Sequence, residues 1–332
     1  MHPHVQAAVD RARGEPGRAQ RWERAALGWT AALNGTAWDG QWFKRAFFDD
    51  GQPLGSAANT EGRIDLIAQA WSVLSGVAPR SLQRMALAAA DSHLVDREAG
   101  LLKLLAPPLQ HAQPSAGYIQ AYPPGVRENG GQYTHAGVWA LMAQARFQIA
   151  LAGSSPAEAH DPDVAYRYFK YLSPAHRSRH ATLGAAYGIE PYAVAGDVYT
   201  QAPYVGRGGW SWYTGAAAWL HRAAVESIFG LQLGAQELSF TPCLPTHWPR
   251  AELCLSRDGR TMRFVFIRGD AQAALDALHA ELPDARMLRT HTPLDWIALP
   301  THSVFVVPLR DEPIDPLAIL KQSISTSTEL NS

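Results

Sequence analysis

Cysteine is nearly absent: 332 residues contain only Cys243 and Cys254. One pair cannot build a disulfide framework or a cysteine-based zinc site, and its spacing matches no metal-ligand pattern. Charge is also scarce. Charged residues are 18% of the chain, and 29 Lys+Arg against 30 Asp+Glu leave a net charge of -1. That balance argues against a nucleic-acid partner, because binding a phosphate backbone needs clustered cations. No apolar run approaches the roughly 18 residues of a membrane span. The N-terminal Met1-His2-Pro3-His4, followed by Arg11, Arg13 and Arg18, lacks the apolar core of a signal peptide. The expectation is a cytoplasmic polypeptide that itself makes no membrane contact.

Aromatic residues and loop formers are plentiful. The chain has 11 Trp, 11 Tyr, 10 Phe, 27 Gly and 23 Pro, and with a hydrophobic fraction of 47% its low charge does not mean disorder. Many aromatics with little charge suit a large neutral polar ligand such as a sugar; a Trp-rich core is the competing explanation. The length suggests about two domains.

The first two thirds read as helices separated by loops. Residues 18–33 place Trp22, Ala25, Ala26, Trp29, Ala32 and Leu33 at helical spacing, and Asn34-Gly35 ends the run. Residues 62–75 repeat the pattern with Ile64, Ile67, Ala68, Trp71 and Leu74. Further helices are expected at 81–95, 134–152, 162–172 and 214–229. The loops 38–60, 106–133, 173–181 and 199–213 are long for a compact domain unless they serve a site. Past Gly230 the pattern changes: 236–241, 250–257, 261–268 and 302–309 read as antiparallel strands. The expected domains are 1–230, mainly α, then a β module over 231–311 and a frayed tail over 312–332.

Chemistry concentrates in four segments. In YPPGVRENGGQYTHA (122–136), Arg127, Glu128 and Asn129 lie between Pro123-Pro124-Gly125 and Gly130-Gly131, a glycine pair that permits close backbone approach to a ligand. Thr134 reads as the N-cap of the next helix, placing His135 beside free backbone N–H groups and the positive helix end, which suits an anion. In YVGRGGWSWYTG (204–215), Trp210 and Trp212 offer stacking faces and Thr214-Gly215 opens a second helix. Two helix starts can then converge on one oxyanion. The glycines are not a dinucleotide fingerprint, since no strand precedes them. AYGIEPYAVAGDVYT (186–200) carries Glu190 and Asp197 in an apolar setting, where a carboxylate either catalyses or caps and pairs. In 38–63, Asp49-Asp50-Gly51 reads as a turn, and Asp39 and Glu61 stand as acid candidates.

Together these segments resemble glycoside hydrolase family 94, the inverting β-glycoside phosphorylases, and in particular the C-terminal phosphorylase-like region of cyclic β-1,2-glucan synthases. The resemblance covers about residues 20–310. It rests on WDGQWFKRAFFDDGQPLGS, RIDLIAQAWSVLSG, YPPGVRENGGQYTHAGVWA, GIEPYAVAGDVYT and GRGGWSWYTGAAAWLHRAAVESIFGL, in that order. It implies the later part of an (α/α)6 barrel followed by a small C-terminal antiparallel β module. It also implies phosphate contacts at His135, Thr214 and Gly215, and a sugar contact at Glu128. Glu128 with Arg127, Trp210 and Trp212 forms the expected saccharide site. Inorganic phosphate is the implied co-substrate, a β-linked gluco-oligosaccharide the substrate, and no cofactor or metal is implied.

One departure weighs on activity. The family's general acid is the Asp of a Trp-Asn-Asp motif upstream of the WDG segment, and no Trp-Asn-Asp occurs in this chain. The expectation is therefore the C-terminal portion of a longer enzyme with no catalytic acid of its own, partnered by a missing N-terminal half. The alternative is a non-catalytic remnant that still binds saccharide and phosphate. A smaller departure is Gly196, where the resemblance implies Ala.

Overall fold

A computed structural model describes residues 3–152 and 161–309; the expected tail at 312–332 lies outside them. Helices are the commonest regular structure among the described residues, and a small antiparallel-rich sheet region lies toward the C-terminus. It divides into two compact units: residues up to Gln144 with Tyr168–Leu220, and residues 145–167 with the chain from His221 onward. Among the described residues no helix is long and apolar enough to cross a membrane.

In the first unit, helices Pro3–Ala12 and Pro16–Gly35 pack together. Pro16 opens the second, where its missing N–H would have had no partner anyway. Small side chains on these helices, Ala7, Ala19 and Ala26, are buried, while Trp29 and Leu33 stay exposed. Trp29, Leu33 and Phe47 border an apolar groove of about 490 Å³.

The periodicity at 62–75 predicts a longer helix than the one that forms, Leu66–Leu74. Ile64 and Asp65 are instead held extended by antiparallel pairing with Leu105–Ala106. Asp65 then caps the helix, accepting from the Ile67 N–H at 2.8 Å. Burial pushes this carboxyl up, and Arg45, 3.4 Å away, opposes the shift.

Gln69, on the same helix, is fully buried and bonds the backbone of Phe43 through both ends of its amide. This fixes the 38–60 loop and drives Trp42 inside. Trp42 is 2% exposed, and its Nε1–H donates to the carbonyls of Gly55 and Arg63 at 2.9 and 3.0 Å. Trp38 packs edge-on against Phe43. These two loop tryptophans therefore pack against the protein, and the core explanation of the Trp excess holds for them.

In the second unit the strands fall where the alternation predicts: Glu237–Phe240, Arg250–Arg257, Arg260–Arg268 and His302–Leu309. Their directions depart from the expected all-antiparallel module. Arg250–Arg257 and Arg260–Arg268 form a hairpin around Asp258-Gly259, both in the left-handed region that a two-residue turn requires. His302–Leu309 then runs parallel to Arg260–Arg268. Parallel neighbours need a crossover, supplied in part by the helix Ala271–His279, which Asp270 caps through the Ala273 N–H. Phe240, Phe264, Phe266 and Phe305 fill the core of this sheet region.

Trp42→Phe keeps the buried ring but strands two carbonyls. It should destabilise the protein by roughly 1–3 kcal/mol in urea unfolding.

Candidate functional site

The site is built on Asp197, which is 1% exposed. Its Oδ2 accepts from the Arg127 N–H at 2.8 Å, a bond that bridges the 122–136 and 186–200 segments. Backbone pairing runs alongside: Gln132–Tyr133 lies antiparallel to Asp197–Val198, and Gly208 bridges to Val198. The Gly209 N–H donates to the Asp197 carbonyl and the Gly196 N–H to the Trp210 carbonyl. Burial pushes the Asp197 carboxyl up, while the Arg127 N–H and guanidinium and the Trp210 N–H pull it back.

The glycines serve this knot. A Cβ at Gly209 would sit 2.1 Å from Asp197 Oδ1. At Gly131 it would lie 2.7 Å from the Arg127 carbonyl oxygen, and at Gly130 it would lie 2.8 Å from Pro108. The close approach expected of the Gly130-Gly131 pair is thus made with the chain's own backbone and side chains rather than with a ligand. Asn129 closes the same loop from inside, with bonds to the backbone of Leu109 and Tyr122.

Helix Thr134–Ala152 begins at the predicted residue. Thr134 behaves differently from a capping threonine: its hydroxyl donates to the Ala195 carbonyl at 2.7 Å and its N–H to the Gly196 carbonyl. The helix start is anchored to the central segment. His135 follows in the first turn, and burial pushes its imidazole toward the neutral form.

Thr214 does act at a helix start. Its Oγ1 accepts from the Ala216 N–H at 3.0 Å, opening the helix Ala216–Arg222 that continues as a π turn over Ala223–Ile228. A Cβ at Gly215 would lie 3.5 Å from His135 Nε2. The structure thus brings His135, Thr214 and Gly215 together, although they are about eighty positions apart.

Arg127, at φ 49°, lays its guanidinium 3.8 Å from the centroid of the Trp210 ring. Trp210 is half-exposed and meets Tyr213 edge-on. Trp212 projects into solvent, donates from Nε1 to Glu190 and faces Tyr192. The two tryptophans are therefore engaged with different neighbours. Glu128 keeps a buried Oε2 with no hydrogen-bond partner among the described residues, and its charge helps raise the Tyr133 hydroxyl, after burial.

The sequence reading missed an aromatic cluster beside His135. Trp139 packs against His135 and meets Trp71 and Trp219 edge-on. The signal was available: Trp139 is i+4 from His135 and Trp219 is i+4 from Gly215, so each shares a helix face with its site residue.

The remaining acid candidates are occupied. Asp39 accepts from the Ser56 hydroxyl and the Ala57 N–H and pairs with Lys44 at 3.5 Å. Glu61 accepts from the backbone N–H groups of Gln110, His111 and Ala112, which hold its carboxyl below the usual range. Asp49-Asp50-Gly51 is a turn, with Asp50 accepting from the Gln52 N–H.

Residues 5–230, which include every site position above, match the family model of the glycosyl hydrolase 94 superfamily, catalytic domain. The chain belongs to this family. It is 42% identical over 253 residues to the cyclic beta-(1,2)-glucan synthase NdvB of Rhizobium meliloti, covering 76% of this chain and 8% of that protein. It is 33% identical to a solabiose phosphorylase of Paenibacillus borealis, over 67% of this chain and 27% of that one. An N,N'-diacetylchitobiose phosphorylase of Vibrio proteolyticus is 28% identical, over 68% and 26%. The chain spans less than a third of the length of each of these family relatives.

Two glycines near Asp197 should respond oppositely to a methyl group. Gly209→Ala drives a Cβ into the carboxylate and should cost roughly 1–3 kcal/mol or more. At Gly196 the nearest atoms to a Cβ, the Trp210 carbonyl oxygen and Thr214 Cβ, stand at 3.5 and 3.8 Å, and the backbone is not left-handed. Gly196→Ala should stabilise by roughly 0.4–1 kcal/mol through the unfolded chain. Urea unfolding of both variants checks the pair.

Proposed function

We propose that this chain supplies the phosphate- and saccharide-holding part of an inverting β-glycoside phosphorylase. In this reading the first unit belongs to the later part of an (α/α)6 barrel. The substrate is a β-linked gluco-oligosaccharide, with β-1,2 linkage as in the product named for the synthase relative, and inorganic phosphate is the co-substrate. The observation that carries the reading is the meeting of His135 Nε2 with the Thr214-Gly215 helix start.

The chemistry follows from that placement. Phosphate is already an anionic nucleophile, so phosphorolysis needs a proton for the leaving sugar but no base to activate water. It also needs the phosphate held against the anomeric carbon. Backbone N–H groups at a helix start and a neutral imidazole supply donors aimed at one oxyanion. The unpartnered Glu128 Oε2 supports a contact with a sugar hydroxyl, and the half-exposed Trp210 face supports stacking on a sugar ring. The reaction forms α-glucose 1-phosphate and a shortened chain.

The acid has to come from outside this sequence. Asp39 and Glu61 are committed to donors of the protein itself, Asp197 is buried with its Oδ2 held by the Arg127 N–H, and no Trp-Asn-Asp occurs in the chain. What completes the enzyme is the N-terminal half that carries that motif, in the same polypeptide or in another.

The 332-residue chain alone, given β-1,2-gluco-oligosaccharide and phosphate, should release no glucose 1-phosphate. Coexpression with a polypeptide carrying the upstream Trp-Asn-Asp region of a family relative should yield release, and His135→Ala should lower it about 10²–10³-fold. Release by the chain alone, or an unchanged rate in the His135→Ala complex, would overturn the proposal.

A further inference from the structure

The first unit holds a second cavity, of about 440 Å³, that shares no lining residue with the site around His135. Its lining is cationic. The turn after Val95–Asp96 supplies Arg97 and Glu98, and the last turn of Asp163–Leu172 supplies Lys170. The short helix Pro174–Arg177 supplies His176 and Arg177, and Arg179 follows it. Glu98 is the one carboxylate in this lining.

Arg177 is the informative group. It is 9% exposed, and its guanidinium donates to the carbonyls of Tyr171, at 2.9 Å, and Gly100. These acceptors are neutral, and no carboxylate forms an ion pair with Arg177 among the described residues. Buried charges are ordinarily paired, because an isolated one is costly to remove from water. Burial lowers the Arg177 pKa to about 10. Burial also lowers that of His176, and the charges of Lys170 and Arg179 lower it further. Arg97 at the rim pairs with Asp91, which lies outside the lining.

We propose that this cavity binds a phosphate dianion, either free or as the head of a phosphomonoester. The buried Arg177 and the exposed Arg179, neither of them in an ion pair among the described residues, face Glu98 as the one carboxylate of the lining, which leaves an anion as the complementary occupant. Guanidinium groups suit phosphate because their planar donors match its oxygens. The volume lies within the range of small-molecule sites, so a phosphorylated sugar fits as well as the bare ion. This site does not depend on the phosphorylase reading.

The test is isothermal titration at low ionic strength, using the full chain with His135→Ala to silence the other candidate anion site. Inorganic phosphate, glucose 1-phosphate and uncharged glucose are titrated in turn. Saturable binding of phosphate or its ester, with none for glucose, is the expected result. Binding should weaken at least about tenfold in Lys170→Ala/Arg179→Ala and at high salt. Equal affinity for the two anions identifies the bare ion as the ligand recognised, and tighter binding of the ester identifies the monoester. Arg179→Glu, a single change at an exposed position, repeats the test in a variant whose fold is checked by its thermal melt. Failure of both anions to bind the His135→Ala chain would overturn the proposal. So would undiminished affinity in folded Lys170→Ala/Arg179→Ala or Arg179→Glu protein.

Discussion

A carboxylate withdrawn from water calls for donors, and Asp197 finds one at Oδ2 in the Arg127 backbone N–H, while its buried Oδ1 has no hydrogen-bond partner among the described residues. That bond accompanies the unusual backbone of Arg127, a non-glycine residue at φ 49°. It also leaves no room for a side chain at position 209, where the carboxylate occupies the space of a Cβ. Trp210 follows directly, so the stacking of Arg127 on its ring depends on the same carboxylate. Thr134 and Gly196 close the arrangement by hydrogen bonds that tie the start of the His135 helix to the central segment. One buried acid thus organises the loops that carry Arg127, Glu128 and Trp210.

The glycine clusters acquire their meaning from this arrangement. A Gly-rich loop beside a helix start is easily read as a phosphate cradle, in which missing side chains admit a ligand. Here Gly130, Gly131, Gly208 and Gly209 admit the chain's own Pro108, Arg127, Ile189 and Asp197. Gly215 is the exception: its open side faces His135 Nε2. The composition of a loop therefore does not say whether a glycine makes space for a ligand or for the fold.

Much of the secondary structure was legible because it depends on local pattern. The helix Thr134–Ala152 and the strands after Gly230 follow directly from apolar spacing and from their bounding residues. Strand direction was not legible, since alternation records which face is buried and not which neighbour lies alongside; the parallel pairing of His302–Leu309 is set by the crossover before it. Trp42 and Trp210 look alike in sequence, each in a Gly-rich loop. Their fates diverge because Trp42 finds two carbonyls for its N–H inside the protein, while Trp210 remains half-exposed over Arg127. His135 and Thr214 could each be read locally at the start of a helix. Their convergence required the long-range pairing through Asp197–Val198, which no local spacing encodes.

Under the phosphorylase reading, the neutrality of His135 has a mechanistic consequence. A cation beside phosphate would hold the dianion strongly in the ground state, and interactions equally strong before and at the transition state do not raise the rate of the chemical step. Bond formation to the anomeric carbon disperses charge from the attacking oxygen, so a fixed full positive charge there would resist the transfer it prepares. Neutral donors orient the nucleophile with less of that resistance. Burial keeps the imidazole toward its uncharged form, and the helix start contributes partial charge from backbone dipoles. The guanidinium of Arg177, without a carboxylate partner among the described residues, lies in the other cavity, where an anion held as proposed above would oppose no bond formation.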